Sequence, residues 1–342
     1  MALLFLDGVE HYTTAGMLTK WTGLYSGPIV STVEARTGLQ SIRCDDGGTS
    51  GDGVFKTFSS SYATLIVGFG FYYTGSPQYG KQYICAIEKA SEGIQIDLRI
   101  DTSTGVIHVT RNGTVLGSSL EQISQGQWYY IELKAYIHNS AGTVDVQLNG
   151  VSVISLTGQD TQAQASANAD IVRFHQFHSK TVTYFDDIYI CDDSGALNND
   201  FLGDIQVETI MPNAVGSSSQ WTPLGGGNNY LEVDEAQPDD DTSYVSDSTV
   251  GNKDTYGMGD LVVTTGTIKG IQVGLYARKD SAGTRQIAPV VRSGATEQDG
   301  ASWAIGASYG LNLQAFETDP ATGVAWTIAG INAMEAGVKV TG

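Results

Sequence analysis

Short runs of alternating apolar and polar residues follow one another along the whole chain, bounded by Gly, Ser, Asp and Asn. A period of two over such lengths predicts strands, not helices. In the first half the runs are Leu3 to Leu6, Gln40 to Cys44, Thr64 to Tyr73, Tyr83 to Glu88, Ile94 to Ile100, Val106 to Arg111, Trp128 to His138, Thr143 to Leu148, Val172 to Phe177 and Thr183 to Ile190. Asp101 to Gly105, Asn112-Gly113 and His138 to Gly142 have the residues of hairpin turns, so neighbouring runs pair antiparallel. In the strand from Trp128, alternation puts Tyr129, Ile131, Leu133 and Ala135 on a core face, with Val144, Val146 and Leu148 as their partners across the hairpin. Glu132, Lys134, Asp145 and Gln147 then face outward.

The pattern changes after the acidic turn Cys191-Asp192-Asp193-Ser194-Gly195. A polar segment precedes a new set of runs at Leu261 to Thr264, Ile268 to Tyr276, Ile287 to Arg292, Tyr309 to Glu317 and Gly337 to Val340. Between them, 213–229 reads as an exposed loop, and Ile331 to Ala336 fits either a helical turn or an extended lead-in. The expected architecture is all-β, with two β-sandwich, jelly-roll-like domains in tandem at 1–195 and 199–342.

Composition agrees with that expectation. A chain of 342 residues exceeds one ordinary domain, and 42 glycines, 17 tyrosines and only 7 prolines suit many short strands and tight turns. The formal charge of -19, from 18 basic and 37 acidic residues, argues against a phosphate backbone or an anionic membrane as partner. Cys44, Cys85 and Cys191 are far apart and form no metal-binding spacing, so reduced thiols in a reducing cytoplasm are expected. The apolar opening reaches Asp7 too soon for a signal-peptide core, and neither export nor membrane insertion is expected.

Catalytic patterns are weak. Glu232-Val233-Asp234-Glu235-Ala236-Gln237 approaches the Glu-x-Asp-x-x-Glu strand of glucanases, but Gln237 stands where the second Glu is needed. His175 and His178 flank Phe177, and in a strand their spacing turns them to opposite faces, so they would not chelate one ion together. A non-enzymatic protein is expected. Tyr72, Tyr73, Tyr79 and Tyr83 gather around the turn Gly75-Ser76-Pro77 and are the candidate platform for stacking on a glycan.

Two resemblances extend this reading. The strand Trp128-Tyr129-Tyr130-Ile131-Glu132-Leu133, its hairpin, the strand Val144 to Gly150 and the closing Phe185-Asp186-Asp187-Ile188-Tyr189-Ile190 resemble the concanavalin A-like lectin and laminin-G jelly roll, as does the opening Phe5 to Glu10 with Lys20-Trp21. That resemblance covers about the first 190 residues. It implies neighbouring terminal strands, with Asp7 close to Asp186 and Asp187, and these three are the candidate calcium ligands. Asp239, Asp240 and Asp241 are an alternative set. The junction stretches Tyr184 to Ile190 and Asp200 to Asp204, together with Gln220 to Pro223, Asp239 to Val245, Ala277 to Lys279 and Asn332 to Val340, resemble structural proteins of tailed bacteriophage virions. This second likeness implies a minor capsid, decoration or tail-associated protein, assembled in the bacterial cytoplasm and residing in the virion. Its partners would be other virion proteins and copies of itself, with a host glycan as the alternative partner.

Overall fold

The computed structural model describes residues 2–45, 51–75, 80–176 and 181–342. The chain is all-β and divides into two compact units, Met1–Val207 and Glu208–Gly342.

The first unit is two antiparallel sheets face to face. One runs in the order Val151–Gln159, Gly142–Leu148, Tyr129–Tyr136, Thr64–Gly75, Thr181–Cys191, Ser41–Cys44 and Ile29–Ser31, with Leu3–Asp7 also paired to Thr181–Cys191. The other runs Thr114–Gln122, Val106–Arg111, Gly93–Asp101, Lys81–Lys89, Ala169–Gln176, Asp52–Tyr62 and Gly23–Tyr25. Their inner faces meet through rings: Phe69 and Phe185 of the first sheet each touch Phe174 of the second, with centroids 5.1 and 5.5 Å apart, and Trp21 lies edge-on to Phe174 at 5.9 Å. Ile131, Leu133, Ala135, Val144, Val146 and Leu148 are in this core, as alternation requires. Cys44, Cys85 and Cys191 are buried free thiols.

The first unit runs past residue 195. Residues 200–207 lie across the outer face of the eight-stranded sheet: Glu132 Oε1 accepts the Gly203 amide (2.9 Å), Tyr189 Oη accepts the Leu202 amide (3.1 Å) and Asp187 Oδ1 accepts the Val207 amide (2.8 Å). The guanidinium of Arg36 sits 4.8 Å from the Tyr130 ring centroid and donates to the Ile205 carbonyl at 2.8 Å. Glu132, expected to face outward, does so and is nevertheless wholly buried, because this segment covers it. The part of that outer face around Glu132, Tyr189 and Asp187 is thereby covered by the chain's own backbone.

The second unit has a six-stranded sheet in the order Pro212–Ser219, Lys253–Met258, Glu335–Val340, Gln286–Ser293 and Thr296–Asp299, with Trp303–Ala304 also on Gln286–Ser293. Its apolar face packs Val291 and Ala336 with Phe316, Trp326, Ile331 and Met334, and Ile271 and Val273 of the two-stranded sheet Ile271–Ala277 and Gly310–Phe316 join them. The sequence reading of 213–229 as loop is corrected. Pro212–Ser219 is an edge strand on Lys253–Met258, mostly exposed, and so lacks the apolar alternation that marks a strand. Leu261 to Thr264 forms no strand, and Ile331 to Ala336 holds both alternatives, the end of the helical turn Ile328–Ile331 and the start of Glu335–Val340.

Candidate functional site

The outer face of the seven-stranded sheet carries a concentration of charged and aromatic side chains. Period-two alternation puts Ile96, Leu98 and Ile100 into the core, which turns Gln95, Asp97 and Arg99 outward on the same strand. Register then lines up rows across the sheet. Tyr83, Arg99, His108 and Ser118 stand opposite one another on four adjacent strands. A second row runs Phe55, Arg173, Ala86, Asp97 and Thr110. Directly opposite residues on one face are within about 5.5 Å at Cβ, so each row is a set of contacts.

Two guanidinium groups organise the face. Arg99 donates through Nε to Asp97 Oδ1 (2.6 Å) and through Nη2 to Tyr83 Oη (2.8 Å), with its guanidinium carbon 4.0 Å from the Tyr83 ring centroid. Arg173 donates to Glu88 Oε2 (2.6 Å) and lies 4.0 Å from the Tyr25 ring centroid and 5.6 Å from that of Phe55. Glycines allow this crowding. A Cβ on Gly23 would fall 2.3 Å from the Phe55 ring, and one on Gly53, which stands between Tyr25 and His175, would fall 2.5 Å from His175 Cβ. The His175 ring is 4.7 Å from that of Tyr83. His108 shares a 2.7 Å hydrogen bond between Nδ1 and Ser118 Oγ.

Burial sets the protonation of these groups. It pushes Asp97 and Glu88 above the usual carboxylate range, while Arg99 and Arg173 pull them back by stabilising the charged forms. Burial first, then the nearby Arg173 and Arg99, lowers His175 to about 3, so its imidazole is neutral at neutral pH. Burial also lowers His108, with Lys81 adding to the effect. Among the described residues, Glu88 Oε1, Arg173 Nε and His108 Nε2 have no hydrogen-bond partner.

The four tyrosines read from the sequence do not form one platform. Adjacent strand residues point to opposite faces, so Tyr73 is in the core, stacked on Phe71 and donating to the Ile123 carbonyl (3.1 Å), whereas Tyr72 is on the outer side of the eight-stranded sheet against Trp128 and Tyr184. Tyr83 belongs to the other sheet. It alone of the described three joins the face, and Tyr79 lies outside the described residues, as does His178.

Asp7, Asp186 and Asp187 stand on paired strands, with Asp7 opposite Ile188. Each carboxylate is engaged by its own donors. Asp7 accepts from Val9 N (3.0 Å), Tyr12 Oη (2.7 Å) and Trp21 Nε1 (2.9 Å). Asp186 accepts from the amides of Arg36 (2.8 Å) and Asp187 (2.8 Å), and Asp187 accepts from Arg36 Nη1 (2.5 Å), Thr37 Oγ1 (2.8 Å) and Val207 N. Donor hydrogens occupy positions that a cation would need, and no group of three or more His, Cys, Asp or Glu among the described residues is arranged to hold a metal ion. In the alternative set, Asp240 accepts from Tyr276 Oη (3.0 Å) and Asp241 from Arg278 Nη2 (2.7 Å) and Tyr309 Oη (2.9 Å), while Asp239 accepts the Ser243 amide (3.1 Å).

No family model matches the chain, and no curated protein matches it. Solved structures similar to it include a Bacillus subtilis protein of unknown function with a galectin-like fold, at 10% identity and TM-score 0.41, over 56% of this chain and 96% of that one. Lectin II from Ulex europaeus is similar at 11% identity and TM-score 0.37, over 49% and 91%. Alginate lyase Aly36B is similar at 12% identity and TM-score 0.35, over 53% and 91%. At these scores the two-sheet architecture rests on the chain's own strand pairing.

Proposed function

We propose that the first unit is a non-catalytic carbohydrate-binding domain, with its site on the outer face of the seven-stranded sheet. The observation that carries the reading is the combination on one face of Tyr25, Phe55 and Tyr83 with two arginines, two carboxylates and neutral histidines. Sugar rings offer apolar C–H faces for stacking and hydroxyls for directional hydrogen bonds, and a mixed aromatic and polar surface meets both. Both carboxylates are tied to arginines, which suits holding a ligand better than donating a proton to one. Part of the other sheet's outer face, around Glu132, Tyr189 and Asp187, is covered by residues 200–207.

The test is a screen of the full chain against a polysaccharide and oligosaccharide panel, repeated with Tyr25→Ala. Tyr25 is 37% exposed, so the variant leaves the core intact. Loss of one stacking ring predicts about tenfold weaker binding, consistent with roughly 0.5–1.5 kcal/mol for an aromatic contact. Failure of the full chain to bind any member of the panel would sink the proposal.

For the second unit we propose a docking role within a virion structural protein, supported by the sequence resemblance and by Ile271–Ala277 and Gly310–Phe316, which pair with each other alone among the described strands. Unpaired strand edges are templates for strand addition from a partner or a second copy. The check is the mass of the full chain in solution together with its presence in purified particles; a monomer absent from particles overturns this role.

A further inference from the structure

The chain has two Asn-Gly pairs, Asn112-Gly113 and Asn149-Gly150. Each is the tip of a hairpin, the first between Val106–Arg111 and Thr114–Gln122 and the second between Gly142–Leu148 and Val151–Gln159. Their backbones are alike: φ is 44° at Asn112 and 51° at Asn149, and 86° at Gly113 and 77° at Gly150. All four residues are exposed. Turn residues, backbone shape and solvent access therefore do not distinguish the two sites.

Hydrogen bonding does. Asn149 Oδ1 accepts the Tyr130 amide at 2.8 Å, and the Asn149 amide donates to the Tyr130 carbonyl at 2.8 Å. Tyr130 is buried, so turning the Asn149 side chain away leaves a buried N–H without its acceptor. The Asn112 side chain has no hydrogen-bond partner among the described residues. An asparagine before glycine is open to attack by the next backbone nitrogen, since glycine has no Cβ to shield that nitrogen. The nitrogen gives its proton to hydroxide and bonds to the asparagine Cγ, and the carboxamide nitrogen leaves as ammonia. Water then opens the cyclic imide to aspartate or isoaspartate, so the whole reaction consumes water, releases ammonia and needs no oxidant or cofactor. Its geometric requirement is that Cγ swing onto the following nitrogen.

We infer that Asn112 is a site of spontaneous deamidation in the folded protein, and that the hydrogen bond to Tyr130 protects Asn149 from the same reaction. The inference is independent of the carbohydrate-binding reading, although the turn reaches that face: a Cβ on Gly113 would fall 3.8 Å from Arg99 Nη2. The new negative charge arises at the turn next to that guanidinium.

The experiment incubates the full chain in mildly alkaline buffer, digests samples over time and follows by mass spectrometry the amide-to-acid mass gain in the peptides containing Asn112 and Asn149. Asn112 is expected to convert at least about tenfold faster than Asn149, as a reaction that must first open a buried hydrogen bond is slowed. The same incubation in urea is expected to bring the two rates within about threefold, because the bond to Tyr130 is lost with the fold. Equal rates in the folded chain, faster conversion at Asn149, or no conversion at Asn112 each overturn the inference. A tenfold gap that persists in urea overturns the protective role of Tyr130, since the difference then belongs to the flanking sequence.

Discussion

His11 and His175 are held neutral by burial, which lowers them from 6.5 to about 4 and about 3. Asp186 is displaced the other way, from 3.8 to about 8, by burial and then by the adjoining Asp187. The two effects have opposite consequences for stability. The unfolded chain takes up protons on the histidines more readily than the folded one, so their contribution is present above pH 6.5 and lost as pH falls toward 4 and 3. The folded chain holds the Asp186 proton more tightly, so that contribution is present below pH 3.8 and lost as pH rises to about 8. Thermal unfolding of the first unit should therefore fall off on both sides of a mildly acidic maximum. Asp186→Asn should flatten the alkaline limb and His175→Gln soften the acid limb. A profile in which Asp186→Asn keeps the full alkaline decline would contradict the buried proton. At this scale the sequence offered Asp186 and Asp187 as candidate calcium ligands and did not show the donors that engage them. Their partners Arg36, Thr37 and Val207 are remote along the chain, and only the fold delivers them.

Strand alternation was the most legible feature of individual elements. It placed Ile131, Leu133, Val144 and Val146 in the core and, applied to Tyr72 and Tyr73, separates the two tyrosines that their adjacency in sequence had joined. The edge strand Pro212–Ser219 was illegible because it buries little, and its place comes from hydrogen bonding to Lys253–Met258. Close approach between elements was equally hidden. On Thr64–Gly75, a Cβ at Gly68 would lie 2.0 Å from the Tyr189 ring, where the paired strand bulges between Asp186 and Tyr189. Gly68→Ala is expected to cost about 1–3 kcal/mol by displacing that ring and with it the hydrogen bonds of Tyr189 to Glu132 and Leu202. Gly27→Ala, with nothing within 4 Å of the added atom, serves as the near-neutral control. Denaturant midpoints measure both, and equal midpoints would refute the packing argument.

The whole molecule is two units, and the boundary between them follows the covering of a sheet face. A chain ending at Gly195 exposes Glu132 and strips Tyr189 and Asp187 of backbone donors, whereas one ending at Val207 keeps them. The 1–207 chain is therefore expected to fold cooperatively and the 1–195 chain to be several kcal/mol less stable, because buried polar groups without partners cost about 1–3 kcal/mol each. Equal melting of the two chains would show that residues 200–207 contribute nothing to the first unit. The sequence by itself determined the all-β class, the existence of two units, the antiparallel hairpins and the core face of the central strands, since these follow from the period of side chains along a strand and from turn residues close in sequence. Only the tertiary structure decided the candidate site. Tyr25, Phe55, Tyr83, Glu88, Asp97, Arg99, His108, Arg173 and His175 come from six strands whose order in the sheet differs from their order in the chain. Alternation marks each of them as outward, but which outward residues become neighbours is set by register between strands distant in sequence, and that is a property of the packed sheets.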